Sequence, residues 1–149
     1  MIRIAGAGRA LLCALALVAG GCGKFQQARE CGTFVKTVNA WLASPAAQTA
    51  ADAGSSSDPK QIAEQARRTA QHYSDLSQRL AALHVEGEEL APRVERYERI
   101  ADSAALALRQ VADALDRGDL ETARQKRVDF DTVAQREAPL VKEINGVCR

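Results

Sequence analysis

Apolar residues in this chain recur in alternating steps of three and four, the spacing that lays a single stripe along an α-helix. The longest stripe starts behind Asp58-Pro59, an N-cap followed by proline at the first helical position. It carries Ile62, Ala66, Thr69, Tyr73, Leu76, Leu80 and Leu83. A second, led by Leu90 and with Pro92 tolerated in its first turn, carries Val94, Tyr97, Ala101, Ala104, Leu108, Val111 and Leu115. It stops at Gly118, a residue suited to the C′ position, and Asp119 is placed to cap the next helix. That last segment carries Leu120, Ala123, Phe130, Val133, Leu140, Ile144 and Val147. A kink is predicted near Ala138, because Pro139 lacks an N–H and restricts the residue before it. Upstream, Cys31, Phe34, Val35, Val38, Trp41 and Leu42 share a broad face of a segment running from about Phe25 to Ser44.

The turn at Gly118 is so short that the helices on either side must be antiparallel neighbours. The four segments therefore predict an all-α domain over residues 25–149, an antiparallel up-down-up-down four-helix bundle. Its two middle helices, of about 26 to 30 residues, span roughly 40 Å each. Composition agrees: Ala, Leu, Gln, Glu and Arg dominate after Phe25, and aromatic residues make up only 4% of the chain, which disfavours strands. Residues 45–57, with Ala-Asp-Ala-Gly and three consecutive serines, read as a long flexible loop between the first two helices.

The amino terminus has a different pattern. Arg3 and Arg9 precede an apolar run from Ala10 to Gly20, then Gly21 and Cys22. The run is too short for the ~20 apolar residues of a spanning helix and has the layout of a secretory signal. Val18-Ala19-Gly20-Gly21-Cys22 resembles the lipobox of bacterial lipoproteins, although leucine is commoner where Ala19 stands; Ala19 and Gly21 also suit ordinary signal cleavage. The resemblance implies residues 1–21 as signal, Cys22 as the lipidated residue, residues 22–24 as a short tether, and anchorage to a bacterial membrane with the domain outside the cytoplasm. Gly23 lacks the aspartate that resembles an inner-membrane retention signal, which leans toward the outer membrane.

Processing of that kind also removes Cys13 and occupies Cys22, leaving Cys31 and Cys148. In an oxidising compartment two remaining cysteines pair, here joining the first and last helices; a redox or metal pair is the rival reading, and it lacks a C-x-x-C spacing. In an up-down-up-down bundle those two ends coincide, so the tether predicts the disulfide-linked end near the membrane and the 45–57 loop away from it.

Charge excludes two classes of partner. Losing Arg3 and Arg9 leaves 18 of the 20 Lys and Arg against 19 Asp and Glu, so the mature chain is expected to have no excess of cations for nucleic acid or for anionic lipid headgroups. His72 and His84 stand about 18 Å apart along one helix and cannot share a metal; as surface residues they call for no ligand. There is no G-x-S-x-G, H-E-x-x-H or phosphate-binding glycine loop, and the only methionine is Met1. No catalytic residue, cofactor or metal site is expected. Glu86, Glu88 and Glu89 form an acidic corner, and Arg117-Gly118-Asp119 is an integrin-type triplet whose glycine and aspartate already have capping roles. Trp41, Tyr73 and Tyr97 opposite small alanines would either wall a ligand cavity or pack as core. The whole predicts a non-catalytic helical binding or scaffold module for an envelope protein assembly; a periplasmic small-ligand-binding or sensory bundle is the alternative.

Overall fold

The computed structural model describes residues 12–45 and 57–149, of which 12–22 in backbone only. Residues 1–11, the side chain of Cys22 and most of the 45–57 loop lie outside the described residues. Those described fold into five helices: α1 (Leu12–Leu42), α2 (Pro59–Ala81), α3 (Ala91–Asp116), α4 (Leu120–Ala134) and α5 (Glu137–Val147). The last two are halves of one broken arm, so the architecture is an all-α four-helix bundle. Contacts rise on one helix as they fall on the next: Glu30 and Trp41 of α1 meet Gly87 and His72, Arg67 and Ser74 of α2 meet Asp116 and Arg109, and Arg96 of α3 meets Glu143. Neighbouring arms are antiparallel.

The caps form as expected from the sequence. Asp58 accepts the Lys60 N–H at 3.0 Å, and Asp119 accepts the Thr122 N–H at 3.0 Å. Gly118 takes φ +71°, a conformation that glycine adopts without the Cβ clash other residues meet. The kink lies further upstream than predicted. α4 ends at Ala134 and α5 starts at Glu137, so Ala138 and Pro139 sit inside the first turn of α5. The reason is geometric: proline in a helix clashes with the carbonyl four residues back, which here is Gln135, while in a first turn its missing N–H costs nothing. Tyr97 of α3 donates to the Glu137 carboxylate and fastens the start of α5. Burial, with that carboxylate adding to it, raises the phenol far above its ordinary range.

The core divides in two. One cluster gathers Cys31, Phe34 and Trp41 of α1, Leu76 and Leu80 of α2, Leu90, Val94, Tyr97 and Ala101, and Leu140 and Ile144 of α5. The other, narrower and built mainly of alanine, holds Ala63, Ala66, Ala70, Leu108, Val111 and Ala112, with Leu115 and Phe130 against it. Tyr73 packs against both. α1 thus covers only the second half of α2; the first half of α2 packs with α3 and α4. The α3 stripe is buried as the spacing predicts, from Val94 to Val111. Three predicted core positions are not: Val35, Leu42 and Leu120 are exposed. On α1 the covered stripe is Cys31, Phe34, Val38 and Trp41, and Val35 and Leu42 each stand one residue, about 100°, round from it.

Candidate functional site

Cys31 and Cys148 are bonded, their Cα atoms 5.5 Å apart across 117 residues of sequence. Gln27 donates from Nε2 to the Val147 carbonyl at 2.9 Å beside the bond. One residue before Cys31, the Glu30 carboxylate accepts the backbone N–H groups of Glu86 and Gly87 at 3.2 and 3.0 Å. Burial pushes this carboxyl up, but the hydrogen bonds from Gln26, Glu86 and Gly87 outweigh it and hold the group below the ordinary carboxylate value. Gly87 leaves room for this close approach: a Cβ there would lie 2.8 Å from Glu30 Oε2 and the carboxylate would have to shift. The closed end is therefore held by a covalent bond and by a carboxylate capping the α2–α3 connection. The acidic corner carries exposed Glu86, Glu88 and Glu89, and no group of side chains among the described residues is arranged to hold a metal ion.

The second attachment of α1 was not legible in the sequence. His72, expected on the surface, is only 7% exposed, while His84 is exposed. The Trp41 indole stacks on the His72 ring at 4.3 Å and 10°, and its Nε1 donates to the His72 carbonyl at 2.9 Å. His72, Leu76 and Leu80 follow in steps of four, a signal that places the imidazole beside two core leucines. Its Nε2 is buried without a hydrogen-bond partner. Asp75, the only carboxylate within one turn of it on α2, is engaged at 2.7 Å by Arg79, and Ser74 receives a hydrogen bond from Arg109.

Burial disfavours the charged imidazole and lowers the His72 pKa below its usual 6.5; Asp75 opposes the shift and Arg79 reinforces it. The unfolded chain takes up this proton as pH falls through about 6.5, while the folded chain resists until lower pH. Stability is thus complete above 6.5 and is lost progressively as pH falls from there toward the folded value. In urea titrations, the drop in stability between pH 7.5 and 5.5 is expected to be larger for the wild type than for His72→Phe, which keeps a flat ring under Trp41. Equal drops would refute this placement of the proton.

Clefts open on the surface of the described residues. One of about 530 Å³ lies between α1 and the end of α2, bounded by Phe25, Arg29, Glu30, Leu83 and His84. One of about 770 Å³ lies where the α4–α5 break faces α3, with Arg96, Arg99 and Arg136 around an apolar floor of Ile100, Val133 and Pro139. A smaller apolar groove of about 270 Å³ runs from Ile62 to Leu120. The arginine cleft exists because Pro139 breaks the fourth arm, and two of its cations are shared with Glu143 and Glu95. Trp41, Tyr73 and Tyr97 pack on one another's neighbours instead of walling a common chamber: Trp41 meets Tyr73 at 5.6 Å, Tyr73 meets Phe130 at 5.9 Å, and Tyr97 meets Phe34 at 6.0 Å. In the Arg117-Gly118-Asp119 triplet, the Asp119 carboxylate is occupied by Thr122, whose hydrogen bond holds its pKa below the ordinary value.

No family model, no curated protein and no solved structure matches this chain.

Proposed function

We propose that the chain is a lipid-anchored cell-envelope protein whose helical bundle serves as a non-catalytic binding or scaffold module for an envelope protein assembly. The observation that carries this reading is the Cys31–Cys148 bond: it uses the two cysteines left after a lipoprotein signal is processed, and such bonds persist in oxidising, exported compartments. The Cys22 signal supplies the anchor, and no helix among the described residues is long and apolar enough to cross a membrane in its place. A tether raises the effective concentration of the bundle for any partner in the same membrane, so weak helix-face contacts suffice. The alternative, a small-ligand-binding bundle, is favoured by the arginine-rimmed cleft, which would take an anionic ligand.

Labelled palmitate fed to producing cells is expected to enter the wild type and not Cys22→Ser. Crosslinking in intact cells is expected to trap one reproducible envelope protein with the wild type and to lose it with Cys22→Ser or on deletion of residues 46–56. Label in both forms sinks the anchor; a folded wild type that traps nothing sinks the scaffold and favours the ligand cleft.

A further inference from the structure

The charges of this molecule are segregated in space. In residues 23–45 there are three cations, Lys24, Arg29 and Lys36, and one acid, Glu30. Glu30 stands about 140° round the helix from Phe25 and accepts the Glu86 and Gly87 N–H groups at the cleft beside Phe25 and Arg29, so the Phe25–Arg29–Lys36 face itself carries no carboxylate. Among the described residues none of the three cations meets an acidic partner. Residues 57–149 carry 15 Lys and Arg against 17 Asp and Glu, a net charge of −2. Phe25, 69% exposed, shares its face with two of the cations: Arg29 and Lys36 lie within about 40° of it around the helix, Lys24 stands about 100° away at the edge, and Gly32 and Ala28 expose the backbone between Phe25 and Lys36. Val35 and Leu42 border the face.

We propose that this outer face of α1 is a docking surface for anionic lipid headgroups, against which the bundle lies on its side. A helix face of Lys and Arg with an aromatic residue and no acid is the composition that settles at a membrane interface. The direction is fixed by complementarity: a negative surface attracts α1 and repels the rest of the molecule, which carries net negative charge. The inference rests on the lipid anchor proposed above, and α1 supplies the link. Its backbone is helical without interruption through position 22, which lies one turn before Phe25 and about 60° round from it. With the helix continuing to the anchored position, the bundle can lie along α1 on the bilayer instead of standing on its end, in contrast to the end-on arrangement the short tether suggests. Each cation on the face contributes about fivefold to the docked population, and Arg29 and Lys36 together about 25-fold.

The test reconstitutes the full lipoprotein, extracted from producing cells, into vesicles of phosphatidylcholine alone or with about one third phosphatidylglycerol. A polarity-sensitive fluorophore is placed at Asn39→Cys, on the α1 face, or at Val128→Cys, exposed on α4. The expected result is a blue shift at position 39 and none at 128, on anionic vesicles only, reversed by 0.5 M salt at ~4 Å screening length. It is expected to be lost in the Lys24→Ser, Arg29→Ser, Lys36→Ser triple variant while that protein still floats with both vesicles and melts like the wild type. Flotation with both vesicles and a water-exposed position 39 overturns the docking face and leaves the anchor. Flotation with anionic vesicles alone, through position 39, upholds the face and overturns the anchor; flotation with neither overturns both. A blue shift that grows with protein concentration in the absence of lipid assigns the face to a second copy and overturns the proposal.

Discussion

Reducing the Cys31–Cys148 bond is expected to lower the melting temperature by about 15–20 °C, the largest effect of any single chemical change to this fold. The bond closes a loop spanning 117 residues, and freeing a loop of that length restores roughly 4–5 kcal/mol of chain entropy to the unfolded state in the loop-closure model. At about 4 °C per kcal/mol for a domain of this size, the shift follows. The native side adds a reason for the loss to be local first. α1 pairs with only half of α2, and its closed end is otherwise held by Glu30 and Gln27. Amide exchange after reduction is therefore expected to rise in α1 and α5 before α2 and α3. Circular dichroism melts with and without reductant, repeated on Cys31→Ala/Cys148→Ala, give the measurement; a shift of only a few degrees would show that the unfolded chain is already compact around these ends.

Trp41→Ala is expected to cost about 3–5 kcal/mol, the range for removing a large buried aromatic side chain. Trp41 is 5% exposed and is the last core residue of α1. Its removal takes away the stack on His72, the ring contact with Tyr73 and the hydrogen bond to the His72 carbonyl together. It also uncovers the imidazole, so the His72 pKa should return toward its usual 6.5 as the desolvation that lowers it disappears. Urea midpoints measure the first effect and NMR titration of the imidazole C–H the second. A loss under about 1 kcal/mol with an unmoved His72 would mean that α1 is held by its disulfide end alone.

What the sequence made legible, and what it hid, follows from what periodicity encodes. The α3 stripe was readable from Val94 to Val111 because α3 is flanked along its length, so every apolar position in step meets a neighbour. The caps at Asp58 and Asp119 were readable because they are local, each satisfied within three residues. The pairing of Cys31 with Cys148 was expected by elimination, because reading residues 1–22 as a lipoprotein-type signal leaves only these two cysteines, and the two are bonded. Periodicity says which side of a helix is apolar, not where a neighbour stops covering it. Val35 and Leu42 were therefore counted into a face whose covered part is narrower, and Leu120 into a seam that its neighbours do not reach. His72 was hidden for the converse reason: a polar residue in the stripe is buried only because Trp41, from a helix thirty-one residues away, lies flat on it. The basic face of α1 escaped a reading of net charge because the acids that balance it lie elsewhere in the fold.

The disulfide also settles how this molecule bears tension. Cys31 lies near the start of the packed part of α1 and Cys148 just past the end of α5, so the bridge holds these two helix ends side by side. A pull applied across Cys31 and Cys148 passes through one covalent bond and skips residues 32–147. The helical chain between the two cysteines carries none of that load, whereas the part of α1 ahead of Cys31 lies outside the bridge and is held by Gln27 and Glu30.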